Sequence, residues 1–491
     1  MAIYKLFPEK DATLYTQNTL MNTGLDEILE ASTYLLDDTA QTSRYLIKFS
    51  QNEIDSAFDT YVSSSANSTN YINHLKGNLF SSITDNPTNL ATSMANQIFP
   101  ITASTGNGIG GKLQIFLTGN TISAGVIPDN NIFRTIRGKG YKPGDVIKIG
   151  GLTTTSNKLT TASFTLTAEN FQPRDWGSNL KNYAAVVTNL NSTSYLKIYP
   201  ISQSWDMGTG RFGNSPVTTN GCSWREKKEG FNWETVFGGG FNPRTTGSYS
   251  QNQGTTPGGG TWYTGSTTLK DIVQTQTFTY SNPIDLNVNV TNTIDIWISQ
   301  SKGISGGDIP NEGFIVKQTS SIELIPSASQ TTTFRYYSVD TNTIYPPQLD
   351  FKFDDFFYYT SSKMQTLYQP EAFISSYNND GTYYSESVQR FRIAAVPQYP
   401  KKVFQTQSGY LTNYYLPQNS YYAIKDSETN EYVIEFDSTY TQISADTTSS
   451  YFDIYMGGLE PERYYTVLLK TTIDGTTKVF DEDIMFKVIN G

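Results

Sequence analysis

Arg44-Tyr45-Leu46-Ile47-Lys48-Phe49 places Tyr45, Ile47 and Phe49 on one side of an extended chain and Arg44 and Lys48 on the other, because successive side chains of a strand point to opposite faces. The same period of two returns in Lys112-Leu113-Gln114-Ile115-Phe116-Leu117, Ser194-Tyr195-Leu196-Lys197-Ile198-Tyr199, Thr293-Ile294-Asp295-Ile296-Trp297-Ile298 and Leu349-Asp350-Phe351-Lys352-Phe353. Short alternating runs bounded by Gly, Asn, Asp and Pro read as strands, and their recurrence reads as an all-β protein. The 38 glycines and 34 tyrosines agree with that reading. Helical signals are few. Gln51 to Tyr61 and Asp175 to Tyr183 are candidate short helices, and Asp26 to Glu30 is a turn or the lead-in to a strand.

At 491 residues the chain has room for about two to four domains, each with its own core. Three shifts in composition mark boundaries. Ser63 to about Gly111 is rich in Ser, Asn and Thr and departs from the first β domain. Ile127 to Phe171 reads as a compact β insert, with Phe133 to Ile136 and Val146 to Ile149 joined through Gly138-Lys139-Gly140-Tyr141-Lys142-Pro143-Gly144-Asp145. A polar and aromatic segment from about Asp354 to Tyr384 then precedes Gln389 to Val396. From there on, Tyr421 to Lys425, Tyr432 to Phe436, Tyr451 to Met456, Tyr464 to Lys470 and Met485 to Val488 alternate, with turn signals between them. That spacing matches a small β-sandwich of immunoglobulin or fibronectin type III kind. Leu459-Glu460-Pro461-Glu462-Arg463-Tyr464-Tyr465 resembles the turn before a late strand of such a domain.

Composition excludes much. Lys and Arg number 35 against 45 Asp and Glu, a net charge of −10 that repels phosphate backbones, so no nucleic-acid partner is expected. The single cysteine, Cys222, has no partner for an intramolecular disulfide or a Cys-based zinc site. The single histidine, His74, would have to carry any triad or zinc chemistry alone, in a polar stretch without a nucleophile pattern. No cofactor, metal or catalytic residue is therefore assigned. The first residues lack a secretory signal, and no window approaches the roughly 18 apolar residues of a membrane span. Sequons at Asn67, Asn191 and Asn289 read as ordinary loops.

Four of the six tryptophans, Trp205, Trp224, Trp233 and Trp262, fall in one stretch rich in Gly, Asn, Ser and Thr. They are the candidate glycan or partner contacts, since a flat apolar ring with polar neighbours suits a sugar face. The competing reading makes them anchors that hold Gly-rich loops onto a β core. Gly106-Asn107-Gly108-Ile109-Gly110-Gly111 matches a dinucleotide fingerprint in spelling, but a strand follows it, so no helix N-terminus awaits a pyrophosphate. Gly238-Gly239-Gly240 and Gly258-Gly259-Gly260 lack the Lys-Ser/Thr of a phosphate loop. Acidic neighbours such as Asp37/Asp38, Asp354/Asp355, Glu226/Glu229 and Asp481/Glu482/Asp483 are too common here to mark a glycosidase.

Two resemblances follow. Lys10-Asp11-Ala12-Thr13-Leu14-Tyr15, Asn22-Thr23-Gly24, Ser43 to Phe49, Leu196 to Pro200 with Gln203-Ser204-Trp205, Trp224 with Gly230, Trp233, Gly238 and Gly239, and Pro346-Pro347-Gln348-Leu349-Asp350-Phe351 resemble a DNRLRE-type β-sandwich. The family's name-giving hexapeptide is absent and the inserts are unusually long. The resemblance implies a jelly-roll-like domain over 1–355 with inserts at about 60–111 and 127–180, a linker at 356–385 and an immunoglobulin-like sandwich at 386–491. Met1 to Tyr15, Asn22 to Glu30, Ser338 to Pro347 and the Gly138 to Asp145 segment are also similar to virion structural proteins of large contractile-tailed, T4-like phages, including those of marine cyanobacteria. What this implies is a virion protein made in the host cytoplasm, not an enzyme, serving as adaptor or decoration in neck, tail or baseplate. Its partners would be other virion proteins and copies of itself; the alternative is a tail protein that recognises a host surface glycan. Phe351 to Tyr359 is a candidate interface strand or an internal one.

Overall fold

The computed structural model describes residues 2–36, 39–59, 74–75, 79–106, 108–126, 137–139, 141–167, 170–172, 176–190, 193–234, 258–264, 272–301, 309–319, 322–323, 332–358, 360, 364–399 and 413–490. Among them strands dominate, most paired antiparallel, and two α-helices occur, Gln51–Ala57 and Thr291–Ser301. The chain divides into two compact units, one made of Tyr4–Phe58 and Gly177–Phe351, the other of Met1–Ile3, Asp59–Trp176 and Lys352–Gly491. The expected inserts, at about 60–111 and 127–180, fall largely within the Asp59–Trp176 piece of the second of these units.

An eight-stranded sheet organises the first unit. Its order is Ala184–Thr188, Thr333–Tyr337, Ile28–Leu36, Thr39–Lys48, Phe314–Gln318, Ser194–Pro200 and Gln274–Phe278, with Lys10–Tyr15 also paired to Thr39–Lys48. The opening run sits inside that sheet, and Tyr45, Leu46, Ile47, Phe49 and even Arg44 are buried. Alternation there does not separate core from solvent, because Ile201, Trp205, Cys222, Trp224, Trp233 and Trp262 pack with Leu46 in one core. Asp11 and Thr13 of the Lys10 to Tyr15 strand reach out of the ladder. The Asp11 carboxylate accepts from Val339 N–H at 2.7 Å, and Thr23 Oγ1 accepts from Thr13 N–H and donates to Thr13 C=O.

Two local expectations are corrected. Thr293 to Ile298 is not a strand but part of the helix Thr291–Ser301. Its buried residues Thr293, Ile294, Trp297 and Ile298 recur with helical spacing, and the Asn289 side chain accepts from the Thr291 N–H at its start. The β-branched composition concealed that period. Conversely, Asp175 to Tyr183 holds the strand Trp176–Asn182, paired to Leu286–Asn289. It is buried on both faces, so neither period shows. Gln51–Ala57 is helical as expected, with Ile54 and Ala57 buried.

In the second unit, the Asp59–Trp176 piece carries a seven-stranded sheet built around Ile98–Ala103, Ile109–Thr118 and Val146–Thr153. Its core joins two motifs that the sequence shows separately. Tyr141 is fully buried, and a Cβ on Gly108 would lie 2.0 Å from the Tyr141 ring. The glycines at Gly108 and Gly111 therefore make room for a tyrosine, not for a phosphate. His74–Leu75 pairs with Phe171–Gln172.

The remainder of this unit has a four-stranded and a five-stranded sheet sharing one core that includes Phe391, Tyr422, Phe452, Tyr465 and Phe486. The segment read as a linker, 356–385, supplies two of the strands. Ala372–Ser376 pairs with Val388–Pro397, and Thr382–Tyr384 runs parallel to Thr476–Ile489. Both are short, and Gly, Asn and Asp between them masked the pattern. Tyr465 is buried and its hydroxyl donates to Glu460 C=O, five residues upstream, at 2.8 Å. Phe351 and Phe353 are buried within the strand Gln348–Phe353. Tyr359, Asn67, Asn191, Asp37, Asp38, Phe133 to Ile136 and Gly238 to Gly240 lie outside the described residues.

Candidate functional site

The four tryptophans singled out by the sequence are all enclosed, none more than 8% exposed. Trp205 donates its indole N–H to Glu312 C=O at 2.9 Å, with Lys10 Nζ 4.4 Å from the ring centroid. Trp233 donates to Ser223 C=O at 2.9 Å. Trp224 and Trp262 stand 4.8 and 5.2 Å from the Arg44 guanidinium. None of the four offers a face to a glycan.

What two of them enclose is an ion cluster far apart in sequence. Arg44 Nε and Nη2 donate to the two oxygens of Glu323 at 3.1 and 2.8 Å, and Nη1 donates to Gly259 C=O at 2.7 Å. Lys317 Nζ is 2.6 Å from the same carboxylate. All three side chains are buried. Burial pushes the Lys317 ammonium down to about 8, against the pull of Glu323. Aromatic faces replace part of the lost hydration of the guanidinium.

Asn22 organises the neighbouring irregular segment. Its Nδ2 donates to Met207 C=O and Cys222 C=O at 2.6 and 2.8 Å, and its Oδ1 accepts from Gly210 N–H at 2.7 Å. Gly24 lies so close that a Cβ would meet Met207 O at 2.2 Å. Asn22-Thr23-Gly24 is thus a clasp. Cys222 is buried within it, and burial pushes its thiol up.

The same unit also has an open site. A cleft of about 800 Å³ is lined by the sheet strands through Tyr15, Ile28, Glu30, Tyr34, Thr333 and Arg335, and by Arg211 and Phe212 from the irregular segment. Register explains the sheet contribution. Glu30 faces Arg335 across the ladder between Ile28–Leu36 and Thr333–Tyr337, and Arg335 Nε donates to Glu30 Oε2 at 2.8 Å. Ser32 donates to Glu30 Oε1 at 2.7 Å. Phe212 N–H donates to both oxygens of Asp26 at 3.0 and 3.1 Å, which brings the Phe212 ring 5.1 Å from Tyr15. Arg211 lies 3.8 Å from Glu27. Burial pushes the Asp26 carboxyl up, while the Phe212 N–H and Arg211 pull it back only in part. None of these residues was a candidate from sequence. Only Asp26 to Glu30 stood out there, as a turn or the lead-in to a strand, and it is the lead-in to Ile28–Leu36; strand registry and a loop contact assemble the rest.

Four of the other carboxylates named by the sequence are buried or bonded. Asp354 and Asp355 are buried, Glu226 accepts from Gly230 N–H at 2.9 Å, and Asp481 pairs with Lys425 at 2.8 Å. Among the described residues no cluster of His, Cys, Asp and Glu is arranged to hold a metal ion, and no helix is long and apolar enough to cross a membrane. Comparisons with protein-family models, with curated proteins and with solved structures found no match.

Proposed function

We propose that this chain is a non-enzymatic structural protein of a tailed-phage virion, an adaptor or decoration in the neck, tail or baseplate. In finer detail, the first unit is read as a jelly-roll-like framework and the Lys352–Gly491 part as an immunoglobulin-like sandwich. The tyrosine hydroxyl that bonds back to Glu460 supports the latter.

The observation that carries the functional reading is the solvent face of the four-stranded sheet. Ala372–Ser376 ends that sheet, so one side of its backbone ladder has no strand beside it among the described residues. The register pairs Phe373 with Val396 and Ser375 with Ala394, and Phe373 is 62% exposed. Tyr377, directly after this strand, is 52% exposed as well. An open strand edge beside exposed apolar side chains is a surface that a neighbouring protein can cover. Virion proteins and further copies of the chain are the proposed partners, and virions its location. The mapped side chains support contact rather than chemistry.

Mass spectrometry of purified particles tests this. The expected result is stoichiometric recovery of the chain with the particle, and loss of incorporation for a folded Phe373→Glu variant. Absence from every particle fraction would overturn the reading.

A further inference from the structure

We propose that the cleft between Tyr34 and Phe212 is a binding site for a neutral oligosaccharide, which it holds without cleaving. The inference does not depend on the virion reading, because it rests on the chemistry of the cleft alone.

Its volume of about 800 Å³ is that of a small-ligand site. Tyr15, Tyr34 and Phe212 give it aromatic walls, and Phe212 is 54% exposed although its backbone is tied down by Asp26. An exposed ring held in place at a cleft mouth offers an apolar face at little entropic cost, which suits the C–H face of a pyranose.

The polar groups then narrow the ligand. Asp26, Glu27 and Glu30 bring three carboxylates, and Arg211 and Arg335 two guanidinium groups, a sum of −1 in a chain of net charge −10. An anionic ligand meets an excess of like charge. A ligand of hydroxyl groups meets acceptors and donors side by side, and each hydroxyl can donate to a carboxylate while accepting from a guanidinium. The ion pairs Glu30 with Arg335 and Glu27 with Arg211 are half open to solvent on at least one side, so they retain capacity for such bonds.

Cleavage needs one carboxyl group to give a proton and a second to act as base or nucleophile. Here Glu30 is held by Arg335 and Ser32, and Asp26 by the Phe212 N–H. Burial pushes the Asp26 carboxyl up, but Glu30 is paired with Arg335 and Glu27 with Arg211, so each of the other two carboxylates of the cleft has a cationic partner rather than standing free as base or nucleophile.

The test is retention of fluorescent oligosaccharides of glucose, galactose, mannose and N-acetylglucosamine by the purified full chain, beside sialylated and sulfated counterparts, followed by titration calorimetry. The expected result is saturable binding of at least one neutral member, recovered intact. Phe212→Ala and Tyr34→Ala should each weaken it at least about tenfold without moving the unfolding midpoint by more than a few degrees. Tyr280→Ala, an exposed change outside the cleft, should leave it unaltered. Silence across the neutral panel, preference for the anionic members, binding that survives both cleft variants, or hydrolysis of the bound sugar would each overturn the proposal.

Discussion

Arg44 has exchanged water for two indole faces, a carboxylate and a backbone carbonyl. Such a cluster adds little net stability over apolar packing of equal volume, yet losing one member leaves uncompensated buried charge. Glu323 neutralises both Arg44 and Lys317. Glu323→Ala should therefore cost about 3–5 kcal/mol in urea unfolding. Replacing Arg44, Lys317 and Glu323 together with apolar residues should recover most of that loss. A single-variant cost under about 1 kcal/mol would mean that water or another cation reaches the site. The tryptophans beside this cluster illustrate a general point about aromatic residues in Gly-rich segments. Exposed platforms and buried cladding have the same local sequence, and the difference lies in a charge 180 or more positions away along the chain from Trp224.

At the scale of an element, the strand Val388–Pro397 carries its own electrostatic fastening. Arg392 Nη1 and Nη2 donate to the two oxygens of Asp446 at 3.1 and 2.8 Å. Burial pushes the Asp446 carboxyl up, and the Arg392 guanidinium with the N–H groups of Thr448 and Ser449 outweighs it, leaving it below the usual carboxylate range. Asp426 is held low in the same way, with burial opposed by the N–H of Thr429 and by Arg463. A carboxyl whose folded-state value is depressed contributes stability that is complete above its unfolded value and is lost as pH falls through the folded one. The sandwich should hold constant stability from neutral pH down to about 5 and weaken below about 4. Arg392→Met should lower stability at pH 7 by about 1–2 kcal/mol, allowing for screening of a pair about a quarter exposed, and should flatten the acid slope. Chemical unfolding at pH 7, 5 and 3.5 checks both, and an unchanged slope in the variant would remove Asp446 from the account.

On the scale of the whole molecule, the Tyr4–Phe58 and Gly177–Phe351 unit and the Lys352–Gly491 part of the other unit have separate cores, and the Asp59–Trp176 piece has a further one. The first gathers Leu14, Leu46, Trp205 and Trp224, the second Phe391, Phe452, Tyr465 and Phe486. Calorimetry should then resolve more than one transition. Glu323→Ala should move only that of the Tyr4–Phe58 and Gly177–Phe351 unit, and Arg392→Met only that of the other. A single transition shifted equally by both variants would show that the units unfold as one.

The sequence by itself determined that the chain is mostly β, because a period of two is a local property of the extended chain and survives in runs such as Ser194–Pro200, where five of seven residues are buried. It likewise determined that imidazole and thiol chemistry have one side chain each to draw on, since one histidine and one cysteine are a matter of counting. The short helix at Gln51–Ala57 was legible for the same local reason. Tertiary structure alone decided that Thr293 to Ile298 coils, because the face it must bury repeats every 3.6 residues whatever its β-branched composition prefers. It alone set Trp224 and Trp262 against a buried guanidinium paired with a carboxylate 279 positions distant. And it alone made the cleft, in which Glu30 meets Arg335 across a ladder and Phe212 meets Tyr15 through a loop. Contacts of that separation leave no period in the sequence, since nothing in a run of neighbours encodes which distant run will lie beside it.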